Sequence, residues 1–184
     1  DVGDPEALDR LHDHAVAELG HVDFLINNAG ISGAEEMVVD MTRADWDRTM
    51  EANLISNYSL IRKFSPAMKA GGKGSILNVS SYFGGEKYVA VAYPNRADYA
   101  VSKAGQRVLA EILSRHLGPE IQINALAPGP VDGARLRGSA EAPGLFDRRG
   151  RLVLENKRRT EVHTHILAVM SAGFSSDAVM SLAI

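Results

Sequence analysis

Apolar residues recur at helical spacing in three stretches of the first 120 residues. The first stretch runs from Asp4, a suitable N-cap, through Pro5 in the first turn to Gly20, which can end a helix. Two longer helices are predicted over about 43–69 and 97–117, and glycines close both of them.

Three short apolar runs alternate with these helices, at 22–27, 74–80 and 121–127. Such runs are typical of strands in a parallel sheet. The alternation predicts an α/β fold with a doubly wound, Rossmann-like parallel sheet and right-handed crossovers. Ligands bind at the carboxyl ends of such strands, so the segments that follow the runs should meet at one cleft. These segments are Asn27 to Gly30, Ser80 with Ser81, and Pro128 with Gly129.

The pattern changes after about residue 143. A long charged amphipathic stretch covers 145–170, Ser175 and Ser176 can cap a last short helix, and no further strand is predicted. We therefore divide the sequence into an incomplete Rossmann-type catalytic domain, 1–134, and a helical extension on the substrate side, 135–184.

Composition excludes several classes of function. The 184 residues carry a net charge of −3, so no basic surface for nucleic acid or for an anionic membrane is expected. The absence of cysteine excludes disulfides, thiolate catalysis and cysteine-bound zinc. His163 and His165 would face apart on a helix, so no metal site is predicted. No apolar run is long enough to span a bilayer, and a cytoplasmic location is expected.

Tyr99 and Lys103 lie four residues apart in a predicted helix and therefore share one face. A free phenol has a pKa of about 10, and a neighbouring ammonium favours the phenolate and lowers that pKa. A tyrosine tuned in this way can act as a general acid/base. Of the five tyrosines, only Tyr99 has lysine at the fourth position after it. Because this spacing often arises by chance, its context decides its meaning.

Three other positions supply that context. A hydroxyl at Ser80 or Ser81 could bind a substrate carbonyl at the end of the second strand. Gly30 allows the backbone to approach a ligand closely. Asn53 sits in the middle of a helix, where asparagine is disfavoured, and it therefore needs a reason.

The chain resembles the short-chain dehydrogenase/reductases over residues 1 to about 131. The likeness is carried by the Asn-Asn-Ala-Gly strand end, the helix asparagine, the strand-end serine, the Tyr-x-x-x-Lys pair and the Pro-Gly turn, in that order. It implies that Tyr99 is the general acid/base and that Lys103 lowers its pKa and binds the nicotinamide ribose. It further implies that Ser81, rather than Ser80, polarises the carbonyl. Asn53 would hold a water in a proton relay to Lys103.

The same resemblance implies NADP(H) as the cofactor. The residues that would bind it are Asp1, Val2, Asn28, Ala29, Gly30, Tyr99, Lys103, Pro128, Gly129 and Val131. The family's glycine-rich phosphate loop would precede Asp1. The features that distinguish NAD from NADP would also precede Asp1, so the choice of NADP rests on the resemblance alone.

Three segments point to one group within this family, and they cover residues 80–107, 127–138 and 143–157. They are similar to the bacterial bifunctional malonyl-CoA reductases, in the reductase module of their second half. This likeness implies reduction of a CoA thioester, malonyl-CoA, to malonate semialdehyde with release of CoA. The chain would then belong to a longer enzyme whose other module continues to 3-hydroxypropionate. A homodimer, or pairing between two modules, is expected through the two long helices.

Two alternatives stay open at this point. The chain could be a generic short-chain dehydrogenase/reductase that acts on another carbonyl or alcohol. It could also be a catalytically silent scaffold module, although such a copy would be expected to lose the serine, tyrosine or lysine. For the substrate carboxylate, the candidate ligands are Arg96, Arg135 and Arg137, each of which could instead be an ordinary solvated charge.

Overall fold

Helices and strands alternate along the protein in the computed structural model, which describes residues 1–85 and 92–129 and the backbone of 179–181. The regular elements are α1 (Pro5–Leu19), β1 (Phe24–Asn27), α2 (Arg43–Met50), α3 (Ser56–Ala70), β2 (Gly74–Val79), α4 (Ala97–Leu117), β3 (Ile121–Leu126) and β4 (Val179–Ser181). A π-helical turn, Glu51–Ile55, joins α2 to α3, and short 3-10 turns cover Tyr82–Gly84 and Pro94–Arg96. The three predicted helices and three predicted strands are confirmed.

The first helix begins and ends as its sequence predicts. The Asp4 side chain accepts a hydrogen bond from the backbone N–H of Glu6 at 2.9 Å. At the other end Gly20 has a φ of 71°, a conformation that glycine adopts without strain, and its N–H bonds to the Val16 carbonyl.

The strands form a parallel sheet in the order β3-β2-β1-β4. Leu25 is the register partner of Ile76, which in turn pairs with Ile123, and this row joins the main apolar core. The helices contribute to the same core through Leu8, Leu60, Ile61, Phe64, Ala110 and Leu117. Because all four strands run in one direction, their carboxyl ends lie along one edge of the sheet, and the predicted Rossmann-like α/β class is confirmed.

The long helix predicted over 43–69 has the right extent but not a uniform hydrogen-bond pattern. Its middle is the π-helical turn, and Asn53 lies inside that turn. Turns of this kind occur mostly as single insertions in α-helices, often at functional sites. Periodicity alone does not reveal such an insertion.

The last part of the chain differs from the prediction. A short strand, β4, pairs in parallel with β1, with Phe24 opposite Val179. The prediction of a final short helix and no further strand is therefore wrong at 179–181, because the unpaired backbone edge of β1 offers hydrogen-bonding partners to any extended segment. Residues 1–127 with 177–184 form one compact unit and 128–176 a second.

Among the described residues, no helix is both long and apolar enough to cross a membrane.

Candidate active site

Tyr99 and Lys103 lie one turn apart on α4, as predicted. The Lys103 ammonium is 5.8 Å from the centroid of the Tyr99 ring. Lys103 is buried, and its Nζ donates to the carbonyl of Val79 at 2.8 Å, at the end of β2. The ammonium is therefore held between the helix and the carboxyl edge of the sheet.

Asn53 is fully buried, and its side chain explains its place in a helix. Oδ1 accepts from the N–H of Ile31 at 2.7 Å, and Nδ2 donates to the Ile31 carbonyl at 3.0 Å. Nδ2 also donates to Ser102 Oγ at 3.0 Å. The amide thus connects the segment after β1 to α4, whereas the Asn53 carbonyl accepts from Gln106 Nε2.

Gly30 lies where the backbone passes closest to these groups. A Cβ added at Gly30 would lie 2.7 Å from Asn53 Oδ1 and 3.6 Å from Lys103 Nζ. A side chain at this position would therefore force Asn53 or the backbone to shift, and the predicted close approach of Gly30 to a ligand stays a prediction. Of its neighbours in the predicted cofactor segment, Asn28 is exposed and Ala29 is buried.

The two serines after β2 have different partners. Ser80 Oγ donates to the Lys103 carbonyl at 2.6 Å, so its hydroxyl is used in packing the strand against α4. Ser81 Oγ accepts from the N–H of Phe83 at 3.3 Å and caps the following 3-10 turn. The choice of Ser81 over Ser80 as the serine that acts on substrate stays a prediction, and the use of the Ser80 hydroxyl within the fold favours it.

The turn that follows Ser81 packs directly on α4. A Cβ at Gly84 would lie 2.5 Å from the backbone carbon of Lys103, so only glycine fits there. Phe83 places its ring 5.6 Å from the Tyr99 ring in an edge-on arrangement. The serine, tyrosine and lysine predicted from the sequence therefore belong to one packed cluster.

Arg96 lies beside Tyr99, with its guanidinium carbon 5.0 Å from the ring centroid. Its side chain is buried and forms an ion pair with Glu35. Glu35 has a left-handed backbone, with φ 59°, and its carbonyl accepts from Asn95 Nδ2. The predicted contact of Arg96 with substrate stays a prediction, and the geometry shows that the protein itself supplies one carboxylate to this arginine.

Sequence reasoning missed three buried polar residues on α4: Asp98, Ser102 and Gln106. Asp98 accepts from the N–H of Ala34 at 3.0 Å and from Thr49 Oγ1 at 2.7 Å. Their spacing of four was the available signal, because it places a polar stripe on one face of a helix. Polar groups on a buried face must find partners.

Of the remaining predicted residues, four are described and three fall outside the described part of the chain. Asp1 accepts from the N–H of Gly3 at 2.8 Å, and Val2 packs against the core. Pro128 and Gly129 directly follow β3. Val131, Arg135 and Arg137 fall outside the described residues. Within the described ranges, no group of three or more histidine, aspartate or glutamate side chains could hold a metal ion.

Comparison with known proteins begins with a family model described as enoyl-(acyl carrier protein) reductase, which matches residues 1–176. The trans-4-hydroxycyclohexanecarboxylate dehydrogenase of Sinomonas cyclohexanicum is 39% identical over 135 residues, covering 71% of this chain and 48% of the relative. A 3-oxoacyl-acyl-carrier-protein reductase of Staphylococcus aureus is 33% identical over 129 residues, covering 70% of this chain and 50% of the relative. The chain spans about half the length of these curated relatives.

Two solved structures extend the likeness. The C-domain of a bacterial malonyl-CoA reductase with NADP is 60% identical, with a TM-score of 0.71, and the match covers 94% of this chain and 26% of that one. A metagenomic short-chain oxidoreductase in complex with NADP is 24% identical, with a TM-score of 0.68, and the match covers 98% of this chain and 69% of that one. At that lower identity the likeness concerns the fold alone.

Proposed function

Because this chain belongs to the short-chain dehydrogenase/reductase family, and is an oxidoreductase of that type, we propose that it reduces malonyl-CoA to malonate semialdehyde with NADPH. The choice of malonyl-CoA as substrate rests on the likeness to the malonyl-CoA reductase C-domain along nearly the whole chain. The cluster of Asn53, Ser81, Tyr99 and Lys103, in which only Tyr99 is partly exposed, supports retained catalysis over a silent scaffold module, since none of the four is replaced.

The carboxyl edge of the sheet fits a nicotinamide cofactor. The close approach at Gly30 leaves backbone rather than side chain beside Lys103 Nζ. Asn28 is exposed at the end of β1, where ligands bind in sheets of this type. Lys103 would hold the ribose hydroxyls, and Asn28, Ala29 and Gly30 would line the nicotinamide side. When bound, NADPH supplies the hydride for the reduction.

The chain's own residues would act on the thioester oxygen. Ser81 and Tyr99 donate hydrogen bonds to the oxyanion that forms when the carbonyl carbon is reduced, and fixed donors of this kind contribute strongly to catalysis. Tyr99 then transfers its proton to that oxygen. Collapse of the intermediate breaks the carbon–sulfur bond, re-forms the carbonyl as an aldehyde and returns a proton to the leaving CoA thiolate. Lys103 holds its positive charge near the Tyr99 ring throughout.

The whole enzyme is proposed to be larger than this chain. A further module would carry malonate semialdehyde on to 3-hydroxypropionate, as the narrower resemblance implies. An assembly through α4 is also proposed, because α4 exposes Val101, Val108 and Ile112 on one side. Their exposure gives α4 an outward apolar face, which a homodimer or a second module could cover.

The decisive experiment measures product formation by the purified full-length protein. With malonyl-CoA and NADPH we expect release of one CoA thiol for each malonyl-CoA consumed. The first NADPH oxidised should yield an aldehyde that hydrazine reagents trap, and a further module that reduces this aldehyde should oxidise a second NADPH. Acetyl-CoA and a neutral ketone serve as comparison substrates. Faster turnover of the ketone would favour the generic dehydrogenase, and an absence of NADPH binding would favour the scaffold module. Either outcome would reject the proposal.

A further inference from the structure

Gln106 connects two parts of the site that are far apart in sequence. It lies one turn after Lys103 on α4, and its side chain is fully buried. Its Oε1 accepts from Lys103 Nζ at 3.3 Å, and its Nε2 donates to the carbonyl of Asn53. One side-chain amide therefore bridges the ammonium and the π-helical turn, the connection for which the sequence resemblance implies a water.

We propose that Gln106 is a positioning residue that orients the Lys103 ammonium toward the cofactor ribose and Tyr99. The inference rests on the proposed function, because it assumes that Lys103 binds the cofactor. It adds a residue that lies outside the serine, tyrosine, lysine and asparagine set and that affects the cofactor through Lys103.

The chemistry of the two partners specifies the residue type. A carbonyl only accepts hydrogen bonds and an ammonium only donates them. A primary amide offers a donor and an acceptor in one plane, so glutamine serves both partners and can face only one way. Glutamate would place an oxygen against the Asn53 carbonyl, and leucine would remove both hydrogen bonds. Glutamate at position 106 would therefore disturb mainly the Asn53 carbonyl, whereas leucine would remove the partner of both Asn53 and Lys103.

The geometry also explains why a second anchor on Lys103 matters. Lysine carries its charge on a flexible four-carbon stem, and the Val79 carbonyl holds that charge from the strand side only. Gln106 approaches from α4 and the π-helical turn, so the two anchors together restrict the direction of Nζ. With Gln106 removed, the ammonium loses its anchor on the α4 side.

The other reading is that Gln106 is only a buried amide that satisfies a helix carbonyl. Asn78 provides a matched control, because it is an equally buried amide in the same core. Asn78 Nδ2 donates to the backbone carbonyl of Gln106 at 3.3 Å, and its Oδ1 accepts from Asn27. It therefore tests the loss of a buried amide without a change to the side chain of Gln106.

The test is a double-mutant cycle in the full-length protein, with the NADPH dissociation constant, kcat, KM and melting temperature as readouts. Gln106→Leu should weaken NADPH binding and lower kcat by about 10-fold or more, an effect of the size that follows when a metal-binding side chain loses the partner that orients it. KM for the acyl substrate should stay within about threefold. In a Lys103→Met background, Gln106→Leu should change the NADPH dissociation constant and kcat less than about threefold, because the ammonium that Gln106 orients is absent. Asn78→Ala should lower the melting temperature and leave NADPH affinity nearly unchanged.

Two results would overturn the inference. One is an equal effect of Gln106→Leu in both backgrounds, which would show a purely structural role. The other is unchanged NADPH affinity and kcat for Gln106→Leu when Lys103→Met lowers both. Failure of the proposed function is separately visible, since the unsubstituted protein would then bind no NADPH or Lys103→Met would have no effect, and the inference would fall with it.

Discussion

The side-chain amide of Asn53 pairs with both backbone groups of a single residue, Ile31. It accepts from the Ile31 N–H at 2.7 Å and donates to the Ile31 carbonyl at 3.0 Å. The segment after β1 is therefore fixed to the π-helical turn by a contact that resembles strand pairing, and a third bond to Ser102 ties it to α4. Asparagine is unfavourable in the middle of a helix by propensity. Here Asn53 connects the π-helical turn to the segment after β1 and to α4.

Asn53→Ala should destabilise the protein. It removes the amide and leaves the backbone groups of Ile31 without that partner, which should lower the free energy of unfolding by about 1–3 kcal/mol. Denaturant titration of the full-length protein measures it. Asn57→Ala is the matched control, since Asn57 is buried in the next turn but its Nδ2 has no hydrogen-bond partner among the described residues. An equal loss for the two variants would contradict the role of the Ile31 pair.

Tyr99→Phe should abolish most turnover and preserve the fold. The contacts of Tyr99 with Phe83 and Arg96 involve its ring, which phenylalanine retains. Loss of a general acid typically costs about 10²–10⁴-fold in rate, and steady-state NADPH oxidation by the full-length protein measures it. Tyr58→Phe, on an exposed part of α3, controls for loss of a hydroxyl. Turnover of the Tyr99 variant within a few-fold of the parent would remove the tyrosine from the mechanism.

Gly30→Ala should impair NADPH binding, because the new methyl group would lie 2.7 Å from Asn53 Oδ1 and displace it or the backbone. Over-packing of this kind typically costs about 1–3 kcal/mol. Calorimetric titration with NADPH and thermal melting together measure the effect. Gly71→Ala is the control, since a Cβ there would meet its neighbours at an ordinary 3.5 Å. Unchanged NADPH affinity in the Gly30 variant would show that the close approach is not needed.

Arg96→Met should reveal whether this arginine reads the substrate carboxylate. If it does, kcat/KM for malonyl-CoA should fall selectively relative to acetyl-CoA, by a factor equivalent to about 2–3 kcal/mol for a charge-assisted bond. Glu35→Gln should change the same ratio in the opposite direction, because Glu35 competes for the guanidinium. Arg107→Met, whose guanidinium bonds to the Gly84 carbonyl, is the control. An unchanged ratio would direct attention to Arg135 and Arg137.

Ile112→Glu should weaken self-association. Ile112 is 64% exposed on the outer face of α4, and a carboxylate there would be buried without a partner in any interface that covers this face. Light scattering of the full-length protein measures the assembly, with Val39→Glu as the control because Val39 is 85% exposed in a loop. A mass that is the same for both variants would exclude α4 as the contact.

The local sequence pattern predicts the main elements and the residues of the candidate site. Helix and strand periods are local properties, so the bounds of α1 and α4 follow from residues next to one another, including Asp4, Pro5 and Gly118. The relation of Tyr99 to Lys103 is also local, since four residues along a helix return to one face. Gly30 could be predicted because a glycine after a buried strand indicates a close approach, although not which atoms it approaches.

The groups that meet across elements follow from tertiary packing and not from a local pattern. Asp98 bonds to Ala34, 64 residues earlier in the chain, and Gln106 bonds to Asn53, 53 residues earlier. No local sequence pattern encodes such pairings. The same holds for the pairing of β4 with β1 and for the outward orientation of Val101, Val108 and Ile112. Periodicity reports that a side chain lies on a given face of its own element. The atom that faces it depends on how elements pack together, and that packing is a property of the whole fold.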